Sequence, residues 1–223
     1  MNPRVRASTE LGLIPYVTLR QGEESAPDNL TILMGPGRRP RLHYRDAPGD
    51  RDVRGVLWAR CSQNRRDACS MPTGTPVWRL MHPARQRETM RAMLCQVCVQ
   101  SARTPAGWIF LAGPDDYEPD ETTAITAQPP VCVRHVRAAA RLCPHLDGRP
   151  MVFLVQSAPL HGVHGTLYGY GQGGVHVIAQ PDFPLPYGHH NLPTFLASQL
   201  VGRLRSFRPV DLDELLHHLQ QAV

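Results

Sequence analysis

The chain has 223 residues, 42% of them hydrophobic and 19% charged, with 22 prolines and 18 glycines. This length predicts one large domain or two small ones with a buried core. The composition excludes a coiled coil, a collagen-like repeat and an acidic disordered chain. All 24 basic residues are arginine, and the formal net charge is +5. Because lysine is absent, enzymes that need a lysine Schiff base and Walker-type ATPases are also excluded.

No apolar run in the sequence reaches the length of a transmembrane helix, which needs about 18 residues. Near the N-terminus, the apolar stretch 11–14 is ended by Pro15 and is too short for a signal peptide. We therefore expect a cytoplasmic protein with no membrane partner.

The first 60 residues are predicted to form short strands separated by turns, because runs of apolar and β-branched residues alternate with glycine and proline. The candidate strands are 16–19, 30–34, 41–44 and 56–59. A polar stretch with two prolines follows at 62–76 and is predicted to be a loop.

Two helices are predicted in the middle of the chain. The first begins at His82-Pro83, where proline suits the first helical position, and runs to about Leu94. After a strand at 108–111 comes an acidic, proline-containing loop. The second helix opens near Cys132 and ends at Cys143, because Pro144 cannot extend it.

The last third of the chain is predicted to contain strands at 151–155 and 175–178 around a turn rich in glycine, histidine and tyrosine. Two helices follow, at about 193–206 and 212–221. Leu196, Leu200 and Leu204 stand four residues apart in the first, and Asp211 caps the second.

These elements predict an α+β fold of short antiparallel strands with an embedded zinc site and C-terminal helices. The expected organisation is an N-terminal β-rich region (1–75), a zinc-binding region (76–148) and a C-terminal α+β region (149–223). The three regions could also form one compact domain.

Two short motifs carry the strongest chemical signal. Cys95 and Cys98 form a C-x-x-C motif, and Cys132 and His135 form a C-x-x-H motif. Zn²⁺ prefers four thiolate or imidazole ligands in a tetrahedron, and residues i and i+3 in the first turn of a helix face the same way. The four residues therefore predict one closed, structural zinc site.

The pattern of knuckle, hairpin strand and helix resembles a treble-clef zinc finger over residues 93–143. The 33 residues between Cys98 and Cys132 exceed the usual spacing, and an insertion at 113–130 would account for them. Residues 99–131 contain no histidine, which argues against a nuclease of the HNH type. The runs 82–87 and 94–98 also resemble uncharacterised actinobacterial proteins, a resemblance that implies no activity.

Other assignments of these residues remain open. The cysteines could pack without metal or form a redox pair, and the ion could be iron. A second site is a further alternative, with Cys61, Cys69, Cys143 and His145 as its candidate ligands.

Arginines near the knuckle favour nucleic-acid binding, either DNA or RNA, because guanidinium groups contact phosphates. The candidate phosphate contacts are Arg79, Arg85, Arg87, Arg91 and Arg103. One alternative function is a protein-interaction or scaffold module. Another is a metal-dependent enzyme that uses region 161–190, with His161, His164 and Asp182 as candidate ligands.

Overall fold

The computed structural model describes residues 13–25, 29–113, 124–143, 146 and 150–221. Two predictions fall outside these residues. One is His145 as a metal ligand, and the other is the acidic loop with Asp115, Asp116, Glu118, Asp120 and Glu121. The described helices are α1 (Pro83–Ala92), α2 (Val133–Leu142) and α3 (Leu212–Gln221). None of them is long and apolar enough to cross a bilayer.

Strands make up most of the regular structure in the described residues. They are β1 (Thr18–Arg20), β2 (Leu30–Met34), β3 (Pro40–Tyr44), β4 (Leu57–Trp58), β5 (Pro76–Met81), β6 (Arg103–Thr104), β7 (Gly107–Ala112), β8 (Ala124–Thr126), β9 (Met151–Ser157), β10 (Leu160–Gly171), β11 (Gly174–Ala179), β12 (Leu185–Pro186) and β13 (Phe195–Pro209). The mixed fold class is confirmed, and the three helices fall where a helix was predicted.

The main sheet runs in the order β11-β10-β13-β9-β7-β6, and all of these neighbours are antiparallel. The long strand β13 also pairs with β4 and β8. β13 therefore joins strands from all three predicted regions. Two smaller ladders, β1–β5 and β2–β3, lie outside this sheet.

The prediction of a helix at 193–206 is wrong, because nearly all of this segment belongs to strand β13 (Phe195–Pro209). Leu196, Leu200 and Leu204 are all buried. A spacing of four is close to one helical turn but is also a multiple of the two-residue strand repeat. Gly202 lies within the segment and weakens a helix, and pairing with the neighbouring strands decides the outcome.

The predicted turn between the strands at 151–155 and 175–178 is also wrong, because most of it is the twelve-residue strand β10. Its glycines serve close packing. A Cβ at Gly162 would lie 2.1 Å from the Leu185 carbonyl oxygen, and one at Gly165 would lie 2.1 Å from that of Leu196. The backbones approach so closely that only glycine fits.

One face of the main sheet packs against both α2 and α3. Ile109 and Leu154 of the sheet share a buried cluster with Val136 of α2 and Leu216 of α3. Cys95 and Val97 belong to the same cluster. The predicted metal ligands therefore border the hydrophobic core beneath the two helices.

Candidate metal centre

Cys95 and Cys98 lie in a tight turn that follows α1. The Val97 backbone N–H donates a hydrogen bond to the Cys95 sulfur over 3.4 Å, and the Val99 N–H donates to the Cys95 carbonyl over 2.9 Å. Val99 has φ +61°, a left-handed conformation that closes the turn. The turn presents both sulfurs to one side and gives one of them a backbone donor.

Cys132 and His135 come from the start of α2. Cys132 is the N-cap residue, with extended backbone angles, and His135 lies in the first turn. The Cys132 sulfur lies 3.2 Å from His135 Nδ1 and 3.9 Å from the Cys98 sulfur. The helix start therefore faces the turn that carries the other two cysteines.

The four ligand atoms all lie within 4.8 Å of one another. Two thiolates bound tetrahedrally to Zn²⁺ at 2.3 Å stand about 3.8 Å apart, close to the Cys98–Cys132 separation. Three sulfurs and one imidazole nitrogen are a donor set that suits Zn²⁺ or another thiophilic ion. The residues present can therefore hold a metal ion.

Hydrogen bonding at the cluster favours a thiolate at Cys132. A hydrogen bond donated by Cys95 lowers the pKa of Cys132 to about 7. The same bond and burial raise the pKa of Cys95 to about 12, and burial raises the pKa of Cys98. A cation at this position would compete with the protons for all three sulfurs.

Backbone contacts hold the two ligand-bearing segments together. Gln96 donates its backbone N–H to the Pro130 carbonyl and its side-chain amide to the Pro129 carbonyl, each over 3.0 Å. Val131 donates to the carbonyl of Ile109 in β7. The β6–β7 hairpin thus connects the knuckle to the segment that enters α2.

Arg85 cannot contact a phosphate, contrary to the prediction, because it is 2% exposed and bound to the buried Glu23. Its guanidinium donates to both Glu23 carboxylate oxygens and to the Thr18 carbonyl. The sequence alone gave no sign of this pair, since its two residues lie 62 positions apart.

The other four predicted arginines are carried by β5, α1 and β6. Arg87 lies over the Trp58 ring at 4.7 Å, and Arg103 lies over the Trp108 ring at 4.6 Å. Arg91 is exposed and lies 3.9 Å from Asp52. Arg79 is exposed on β5.

Within the described residues, the remaining predicted ligands form no second metal-binding group. Among the described residues, no second group of three or more metal-binding side chains occurs, so His161, His164 and Asp182 form no cluster. Instead, His161 Nε2 lies 3.5 Å from the Arg203 guanidinium. Cys61 and Cys69 likewise belong to no cluster in that part of the chain.

Compared with known proteins, the chain matches no family model, no curated protein and no solved structure. The treble-clef and actinobacterial resemblances are therefore hypotheses that depend on the residues alone.

Proposed function

We propose that this is a zinc-stabilised binding protein whose single Zn²⁺ is held by Cys95, Cys98, Cys132 and His135. The convergence of four soft or borderline donor atoms within 4.8 Å carries the proposal. Cys98 and Cys132 are 34 positions apart, so the ion would cross-link two distant segments.

The order of elements supports a treble-clef type of site. A knuckle is followed by the β6–β7 hairpin and then by α2, whose cap and first turn supply the last two ligands. Four protein ligands leave no open position for water or substrate, which is typical of structural zinc. The ion would stabilise the fold, and function would reside on the surrounding surface.

Metal analysis of the purified protein tests the site. We expect mass spectrometry to find one zinc per chain in the wild type. The Cys95→Ser variant should lose the zinc and should no longer melt cooperatively. The exposed Cys69 outside the cluster provides a matched control, and Cys69→Ser should keep both metal and melting behaviour. Metal-free wild-type protein that melts cooperatively would contradict the proposal, and iron in place of zinc would correct the ion.

For the binding function, we propose nucleic acid as the partner, bound at α2 rather than at α1. Arg134, Arg137 and Arg141 are all exposed and follow an i, i+3, i+7 pattern, so they lie on one side of this helix. Arg137 also contacts Asp213 at 2.6 Å, an exposed pair that contributes little. The helix that carries two metal ligands thus presents a row of guanidinium groups.

Salt-dependent binding to a mixed-sequence DNA duplex and to single-stranded RNA tests this partner. Each lost phosphate contact should reduce the slope of log affinity against log salt by about 0.9 for duplex DNA. We expect Arg134→Gln/Arg141→Gln to reduce it by about 1.8. The control pair Arg38→Gln/Arg39→Gln alters exposed arginines outside α2 and should leave the slope unchanged. No salt-dependent binding by the zinc-loaded protein would reject nucleic acid and favour the protein-interaction alternative.

A further inference from the structure

An apolar cavity lies beside the metal centre, between β5, the knuckle and α2. Leu80 of β5, Val97 of the knuckle and Leu142 of α2 all line it. Leu80 is 52% exposed, so the cavity opens to solvent on this side. The small side chains of Ala138 and Ala139 leave space along the helix.

The polar groups of the cavity are few and carry one sign of charge. Arg79 contributes the one charged side chain among the described lining residues, and no carboxylate lines that part of the cavity. Arg79 also forms no ion pair within the described residues. Gln96 lines the cavity too, but its amide already donates to the Pro129 carbonyl.

We propose that this cavity binds a small amphipathic carboxylate, with the apolar body against Trp78, Leu80 and Leu142 and the carboxylate on Arg79. Ligand sites are concave and mostly apolar, with few polar groups that fix orientation. A guanidinium matches a carboxylate with two parallel hydrogen bonds. An apolar cavity with one cationic group therefore complements an apolar acid in both shape and charge.

This site does not use the metal-ligand atoms and would exist whether the ion is zinc or iron. It is nevertheless positioned by the same segments, because Val97 lies between two ligands and Ala139 is one turn after His135. None of Arg134, Arg137 and Arg141 lines the cavity, so the proposal does not depend on nucleic-acid binding.

Calorimetric titration of the full chain, in its purified metal-loaded state, with octanoate and with octan-1-ol tests the proposal. We expect octanoate to bind at one site at least tenfold more tightly than the alcohol. Arg79→Gln should weaken octanoate about tenfold and leave octan-1-ol unchanged. Arg103→Gln, which removes an exposed arginine outside the lining, should leave both affinities unchanged.

A second variant tests the apolar part of the site. Ala139→Trp should fill the cavity and weaken the binding of both compounds at least tenfold. The Arg79→Gln comparison decides the outcome if this variant does not fold. Equal affinities for octanoate and octan-1-ol, no effect of Arg79→Gln, or no saturable binding would each overturn the proposal.

Discussion

Two polar clusters in this molecule hold distant segments together in different ways. The Cys95, Cys98, Cys132 and His135 cluster brings together four donor atoms that could hold a cation. Around Glu23 the protein supplies both charges itself. Arg85 donates to both carboxylate oxygens, and the Arg20 backbone N–H donates to one of them over 2.7 Å.

The second cluster is more deeply buried than the first. The side chains of Glu23 and Arg85 are 0% and 2% exposed, whereas Cys98, Cys132 and His135 are half-buried. Arg20 is also buried, and its guanidinium donates to the carbonyls of Pro15, Thr18 and Pro72. Burial lowers the pKa of Arg20 to about 10. One region thus presents four donor atoms that could hold an ion from solution, whereas the other pairs its buried charges within the protein.

The largest effect outside the metal ligands is expected at Glu23. Glu23→Gln leaves the buried Arg85 guanidinium without its carboxylate and should cost about 3–5 kcal/mol of unfolding free energy. Chemical denaturation measures this loss, and the exposed neighbour Glu24→Gln should change it by less than about 0.5 kcal/mol. If Glu23→Gln lowers the unfolding free energy equally with and without bound metal, the two clusters stabilise the fold independently.

The two clusters also differ in how well the sequence predicts them. The spacing of a cysteine pair is restricted by metal geometry, so the four residues of the cluster could be grouped without a structure. Arginine and glutamate are usually exposed. Arg85 therefore seemed a phosphate contact, and only the fold reveals Glu23 beside it.

The strands at 30–34 and 41–44 could be predicted because their apolar runs are bounded by turn residues, and the structure confirms both. Strand β13 could not be predicted, because its leucine spacing fits both the helical and the strand period. The strands that pair with it are also distant in sequence. The predicted three-part division stays a prediction.

A smaller effect is expected where α1 contacts β13. Gln86 is fully buried; its amide donates to the carbonyls of Ala127 and Leu200, and its oxygen accepts from the Leu200 N–H. Gln86→Leu should cost about 2–4 kcal/mol, because it leaves buried backbone groups without partners. Gln86→Glu tests the hydrogen-bond origin, since it keeps the shape but loses the amide donors. A denaturation midpoint unchanged in both variants would contradict this role.

His82, which lies near Arg85 of the Glu23 cluster, should make the stability of the protein depend on pH. Burial and the nearby Arg85 lower the pKa of His82, whose Nε2 lies 3.0 Å from the Ser62 carbonyl. The unfolded chain takes up a proton near pH 6.5 that the folded protein resists, so stability should fall as pH drops below about 6.5. His82 contributes at most about 1.4 kcal/mol per pH unit to this slope.

Unfolding free energies from pH 7 to 5, at saturating zinc, measure the slope. His82→Gln keeps a donor for the Ser62 carbonyl but does not titrate, so its slope should be shallower than that of the wild type. A matched substitution of the exposed His217 controls for general charge effects. A steeper slope in His82→Gln would show that the sign is wrong.

The smallest effect is expected at the cap of α3, on the metal side of the core. The Asp211 carboxylate accepts hydrogen bonds from the backbone N–H groups of Asp213 and Glu214, each over 2.9 Å. Asp211→Ala should cost about 1 kcal/mol, whereas Asp211→Ser, which keeps a capping oxygen, should lose less. Leu216 of α3 packs in the same cluster as Val136 of α2, next to the candidate ligand His135. The cost of Asp211→Ala, measured by denaturation, should therefore shrink when a chelator removes the metal, because α2 no longer holds α3. An unchanged cost after chelation would show that this half of the core forms without the ion.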